Sequence, residues 1–192
     1  MKHKIDWFPA IVRIAGANFP GTAAFIQLQA EIDSDKIEHR LRQFEDPISY
    51  LHEDVPALSK EIYQKLSTDD SIHLKFEEDF YNKFSRPLAA LAANNLISEK
   101  RGVFRSIPCG INLTDPTYIL YMCRLAEDQN KMQKLFDLVD NCKRREWLNS
   151  EKLKGEIGLP ECVVKAVFQI YESKGYGALS KTNYSYQYRG KV

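Results

Sequence analysis

The stretch from Asn149 to Tyr188, NSEKLKGEIGLPECVVKAVFQIYESKGYGALSKTNYSYQY, constrains this chain more than any other. A short amphipathic segment comes first, then a Gly158-Leu159-Pro160 turn, then a longer amphipathic segment that stops at Lys174-Gly175. Two strand-like runs follow, parted by Thr182-Asn183. Glycine admits positive φ and proline cannot continue a hydrogen-bonded run, so both punctuate local structure. The order is therefore helix, turn, helix, hairpin. It suggests a way of touching a partner without naming the partner or specifying a reaction.

A similar order comes before it. Pro56 suits the first turn of a helix, where its missing N–H costs no internal bond, and Leu58, Ile62 and Leu66 then form a stripe to Ser67. Residues 71–75 alternate briefly, and Phe76 to Tyr81 reads as a short helix. Ser85 is placed to cap a third helix running to Asn95, with Leu88, Leu91 and Ala92 on one face and Pro87 limiting its upstream extent. Ile97 to Phe104 and Arg105 to Leu113 read as two strands around a turn, followed by an apolar helix from Pro116 to Leu125. Met132, Leu135, Phe136, Leu138 and Val139 then recur at helical spacing between Asn130 and Cys142. No residue-level repeat links the two orders.

Upstream, Trp7, Phe8, Ile11, Val12 and Ile14 precede a glycine- and proline-containing break at Gly16 to Gly21. Phe25, Ile26, Leu28 and Ile32 after Thr22 suit a helix, and Asp35 to Phe44 suits a second that Asp46-Pro47 stops. The expected architecture is mainly α with small β-hairpins, an α+β chain. A helical N-terminal segment spans 1–55, one helix-and-hairpin unit 56–127 and a second 128–192.

Of 192 residues, 44% are hydrophobic and 28% charged, enough for a core and for a soluble surface. The longest apolar run, near Pro87 to Ala93, is interrupted by Arg86 and Asn94 and falls well short of the roughly 20 residues that span a bilayer. Asp6 and Arg13 break any apolar signal core. A cytoplasmic protein with no membrane partner is expected.

Cys109, Cys123, Cys142 and Cys162 contain no C-x-x-C pair and have no histidine at ligand spacing. Zinc needs ligands that converge, usually in close pairs, and His3, His39, His52 and His73 are equally scattered. Buried, reduced thiols and no metal or other cofactor are expected. The chain has no G-x-S-x-G, P-loop, G-x-G-x-x-G or H-E-x-x-H motif. Its acidic clusters, Asp69-Asp70 and Glu77-Glu78-Asp79, read as solvated surface, so a non-enzymatic role is expected.

Charge is unevenly placed about a net +1. Residues 1–96 carry 11 Lys and Arg against 15 Asp and Glu, whereas residues 97–192 carry 16 against 11. A basic half hints at a polyanionic partner.

The run from Gly158 to Tyr176, with Val164, Val167, Phe168 and Tyr171 inward and Leu153 and Ile157 facing them, resembles the turn and second helix of bacterial winged helix-turn-helix regulators. The earlier order is similar in a looser way. Leu88, Leu91, Leu96 and Ile97, then SEKRGVFRSIPCGINLTDP, look like the helix, wing and exit into a dimer-type helix of MarR-like regulators. The resemblance implies two winged-helix units in tandem after a helical N-terminal segment, and a transcriptional regulator that binds double-stranded DNA. Pro116 to Leu125 would then be either a helix of a homodimer interface or an interdomain helix.

In the resembling regulators the helix after the turn enters the major groove, while the wing meets phosphates. Carried onto this sequence, the second unit offers Lys165 and Gln169 on its helix, beside Glu161 and Cys162, and Lys181 in its wing. The first unit offers Asn82, Lys83, Ser85 and Arg86 at the start of its helix and Lys100, Arg101 and Arg105 in its wing. Arginine pairs bidentately with guanine and asparagine with adenine, and wing cations suit phosphate.

Other features carry two readings. Lys143-Arg144-Arg145 either complements the negative end of a helix dipole or, with Lys152 and Lys154, holds a phosphate backbone. Tyr184, Tyr186 and Tyr188 alternate along the last strand and either stack on bases or pack across strands. The alternative to DNA binding is a winged-helix module that binds protein, which Glu161, the apolar Cys162-Val163 and the near-neutral total charge favour.

Overall fold

A computed structural model describes residues 48–102, 107–126, 128–144, 146–181 and 185–190. The helices expected between Thr22 and Phe44, and most of the expected segment 1–55, lie outside these residues. Helix α1 (Val55–Asp69) carries Pro56 in its first turn and buries Val55, Leu58, Ile62, Tyr63 and Leu66, one face of a helical period. It ends at Asp70, whose φ of 47° is left-handed. Strand β1 (His73–Leu74) follows.

Helices α2 (Glu78–Lys83) and α3 (Ser85–Ala93) are parted by Phe84 alone. Hydrogen bonding carries through the junction, with the Phe84 N–H donating to the Phe80 carbonyl and the Leu88 N–H to the Phe84 carbonyl, both at 3.0 Å. Pro87 makes the break, because it has no N–H for the Lys83 carbonyl and its ring crowds that carbonyl. Ser85 is therefore the first residue of α3 and makes no capping bond, contrary to the sequence expectation. The preceding turn of α2 supplies the carbonyl that a cap would have replaced.

Strands β2 (Ile97–Arg101) and β3 (Pro108–Leu113) form a hairpin, with a register irregularity between Lys100 and Arg101. Phe104 and Arg105 lie outside the described residues. Strand β3 also pairs with β1, so the antiparallel sheet runs β1-β3-β2. Asp115 then caps α4 (Pro116–Leu125), its carboxylate accepting from the N–H groups of Thr117 and Tyr118 at 2.7 and 3.1 Å.

The order repeats in α5 (Gln129–Asp140), β4 (Leu148–Asn149), α6 (Ser150–Ile157), α7 (Glu161–Ser173), β5 (Gly177–Lys181) and β6 (Tyr186–Gly190). This second sheet runs β4-β6-β5, so in both sheets the last strand lies in the middle. Asn149 caps α6 by accepting from the Lys152 N–H at 3.1 Å, and Gly158 closes it at φ 74°, a conformation in which a Cβ is strained. Among the described residues the chain is α+β, with seven helices and two three-stranded antiparallel sheets. None of those helices is long and apolar enough to cross a membrane.

Helix α4 lies between α1 and α7. Every residue from Thr117 to Cys123 is buried, including Tyr118, Ile119, Tyr121 and Met122, so its apolar faces are used within the chain. One continuous core runs through it from Leu58 and Ile62 to Val163, Val167 and Phe168. A hydrogen bond between the Ser59 and Tyr118 hydroxyls (3.0 Å) and one donated by the Tyr63 hydroxyl to Asp128 (2.9 Å) satisfy the polar groups that α1 brings to this core.

Candidate nucleic-acid interface

Helix α7 occupies the position of the helix after the turn in the second unit, yet none of its residues from Glu161 to Glu172 is exposed. Cys162, read from the sequence both as a buried thiol and as a contact position of this helix, and its neighbour Val163 are only 4% and 0% exposed. The reason is long-range: α4 covers one face of α7 while α6 and the β5-β6 hairpin cover the rest. Lys165 and Gln169 are half-buried, and the Lys165 Nζ lies 3.1 Å from Glu161 Oε1 and 5.3 Å from the centre of the Tyr186 ring.

The start of α7 is occupied as well. Asp70 Oδ1 accepts from the Glu161 backbone N–H at 2.8 Å, and Asp70 Oδ2 lies 2.6 Å from Lys154 Nζ. A carboxylate there satisfies an orphan donor and complements the positive end of the helix dipole. Glu161 Oε1 accepts from Ser150 Oγ at 2.6 Å. The end of α1 thus caps the start of α7.

In the first unit, Asn82, Ser85 and Arg86 are exposed where α2 meets α3, and Lys100 is exposed on β2. Lys83 pairs with Glu61 at 2.6 Å, and Arg101 pairs with Glu99, Nη2 at 2.8 Å and Nε at 3.3 Å. Lys181 lies 4.0 Å from Glu172. Four expected cations are therefore matched with carboxylates, whereas among the described residues Arg86 and Lys100 have no such partner. Arg105 lies outside the described residues. A groove of about 390 Å³ between α3 and the hairpin brings Asn82, Ser85 and Arg101 together over Leu88, Ala89 and Ala92.

The other basic cluster divides. Lys152 pairs with Glu156 at 3.7 Å and Lys154 with Asp70, leaving Lys143 and Arg144 exposed; Arg145 lies outside the described residues. Tyr188 is buried and stacked on Phe168 at 5.3 Å between ring centres, so it packs in the core. Burial pushes its hydroxyl up to about 12. Tyr184 lies outside the described residues.

Three of the four cysteines are buried, but Cys109 is exposed on β3 at the register irregularity, where Lys100 pairs with Gly110 and Arg101 with Pro108, so that Cys109 is the extra residue and does not follow the inward face of Ile111 and Leu113. Burial pushes the Cys123 and Cys162 thiols up to about 12, which keeps them protonated and unreactive at neutral pH. Among the described residues no three His, Cys, Asp or Glu side chains converge as a metal site.

Three features of the site do not follow from local sequence patterns already noted. The Glu99 and Arg101 pair was detectable as an i, i+2 match on one strand face. Asp70 gave no signal, because its partner lies 91 residues away. The stacking of Arg189 on Trp147, 4.9 Å from guanidinium to ring centre, was hinted at only by the tryptophan that follows the Lys143-Arg144-Arg145 run. The chain matches no known family model, no curated protein and no solved structure.

Proposed function

We propose that the chain is a tandem winged-helix protein that binds double-stranded DNA through its first unit alone, in the manner of a transcriptional regulator. The element order found twice, with the last strand central in each sheet, supports the winged-helix assignment. The observation that carries the DNA reading is the exposed start of α3. There Ser85 and Arg86, beside Asn82 and with Lys100 on the adjoining hairpin, form the set with which a groove-entering helix and its wing meet base edges and phosphate. Helix α7, which from Glu161 to Glu172 opens to solvent only along the half-buried stripe of Glu161, Lys165, Gln169 and Glu172, serves as the mount on which the first unit is held. A polarisation titration of the full chain with mixed duplexes tests this. Binding at micromolar protein that weakens steeply with salt is expected, and a flat titration at low salt overturns the reading.

A second reading has its own observation. The groove beside α3 has an apolar floor of Leu88, Ala89 and Ala92, and Glu99 and Glu61 neutralise two of its neighbouring cations, which suits a peptide segment better than a phosphate. Capture of a protein partner that Ala89→Arg abolishes, with no duplex binding under any salt condition, would support that reading over DNA.

A further inference from the structure

A second surface lies where the turn after α5 meets the end of β6. Cys142 ties the two together, its Sγ lying 3.6 Å from the Glu146 carbonyl oxygen and 4.0 Å from that of Tyr188. Gly190 approaches the Cys142 carbonyl so closely that a Cβ would collide with it. The turn itself is closed by the Glu146 N–H donating to the Lys143 carbonyl at 3.0 Å. Pairing of Leu148 with Tyr188 then sets Trp147 beside Arg189, and the guanidinium stacks on the indole at 4.9 Å.

Trp147 nevertheless stays 45% exposed. Lys143 and Arg144 are exposed in the same turn, and among the described residues no carboxylate pairs with them or with Arg189. Glu146 is exposed nearby, while Asp140 is engaged by the Tyr171 hydroxyl at 2.7 Å. A rigid indole with a cation on one face, next to unmatched cations, is a stacking platform with charge for a backbone.

We infer that this surface binds single-stranded nucleic acid, with an unpaired base stacking on the open part of Trp147 and flanking phosphates held by Lys143 and Arg144. A duplex keeps its base faces inside the helix, so the platform selects single strands. Every base has a π-face, so the selection is tolerant of sequence. The site is separate from α3 and does not rest on duplex binding there.

The chain has two tryptophans, so Trp7→Phe in the full-length protein leaves Trp147 as the sole indole. Titration of that variant with an oligothymidylate of about ten nucleotides is expected to quench the indole emission, with an affinity that falls as salt rises. The same length of duplex is expected to quench little. Trp147→Ala should weaken binding of a labelled oligothymidylate about tenfold or more. The double variant Lys143→Glu and Arg144→Glu, at two exposed positions that leave the fold intact, should do the same. Arg86→Ala should leave oligothymidylate binding unchanged. Absence of quenching, quenching by duplex as strong as by single strand, or binding unmoved by the charge-reversed double variant would each overturn the inference.

Discussion

Asp70 accepts a hydrogen bond from the backbone N–H of Glu161 at 2.8 Å, joining the last turn of α1 to the first turn of α7. One side chain thus caps a helix of the other unit while its own backbone takes the left-handed conformation that ends α1. Asp70→Ala loses the cap and places a Cβ-bearing residue without a local hydrogen bond at φ 47°. Urea denaturation should show a loss of about 1–2 kcal/mol. Asp70→Asn keeps an acceptor and tolerates the backbone, so it should lie within about 0.5 kcal/mol of wild type. Equal losses in both variants would remove the capping account.

Val163 tests whether α7 is enclosed. Val163 is 0% exposed in the core that α7 shares with α4, so a lysine there is an uncompensated buried charge. Val163→Lys should cost about 3 kcal/mol or more, seen as a large fall in the denaturation midpoint. A front-facing residue of a groove-reading helix would accept lysine at almost no cost, and that outcome would contradict the arrangement of α4 and α7.

The buried thiols predict an alkaline limit to stability. Cys123 and Cys162 are raised from 9.0 to about 12 by burial, so the folded chain holds these protons more tightly than the unfolded one. Their contribution is complete below the unfolded value and is lost as pH rises from about 9 toward 12. The urea midpoint should fall across that window, and Cys162→Val should flatten part of the slope. At mildly alkaline pH a thiol reagent should label Cys109 rapidly and the other three cysteines only after denaturation. Rapid labelling of Cys123 in the native chain would contradict its burial.

Helices α1, α4 and α7 were legible in the sequence because proline at the start and apolar periodicity act locally. Pro116 to Leu125 is found at its expected bounds, with Asp115 as the cap. The inward set Val164, Val167, Phe168 and Tyr171 is buried as expected. What covers the rest of α7 was not legible, since the apolar Cys162-Val163 pair suited a partner surface as well as a core, and no local pattern encodes the packing of α4 on α7. The candidate site was legible in residue type and only partly in state. Arg86 and Lys100 stand open as nominated, whereas Lys83, Arg101 and Lys165 are matched by Glu61, Glu99 and Glu161. Two of those partners lie within four residues on the same element. The pairing of Lys83 with Glu61 crosses from α2 to α1, and no local pattern encodes it.

The proposed duplex interface is α3 with its hairpin, and not α7. Polarisation titrations across a salt series should be run on Arg86→Ala, Lys100→Ala and Lys165→Ala in parallel. Arg86→Ala should weaken binding by about 1–3 kcal/mol, and Lys100→Ala should reduce the salt slope by about 1. Lys165→Ala should bind as wild type does. Loss of binding in Lys165→Ala equal to that in Arg86→Ala, or no salt-dependent binding by the wild-type chain, would contradict the account.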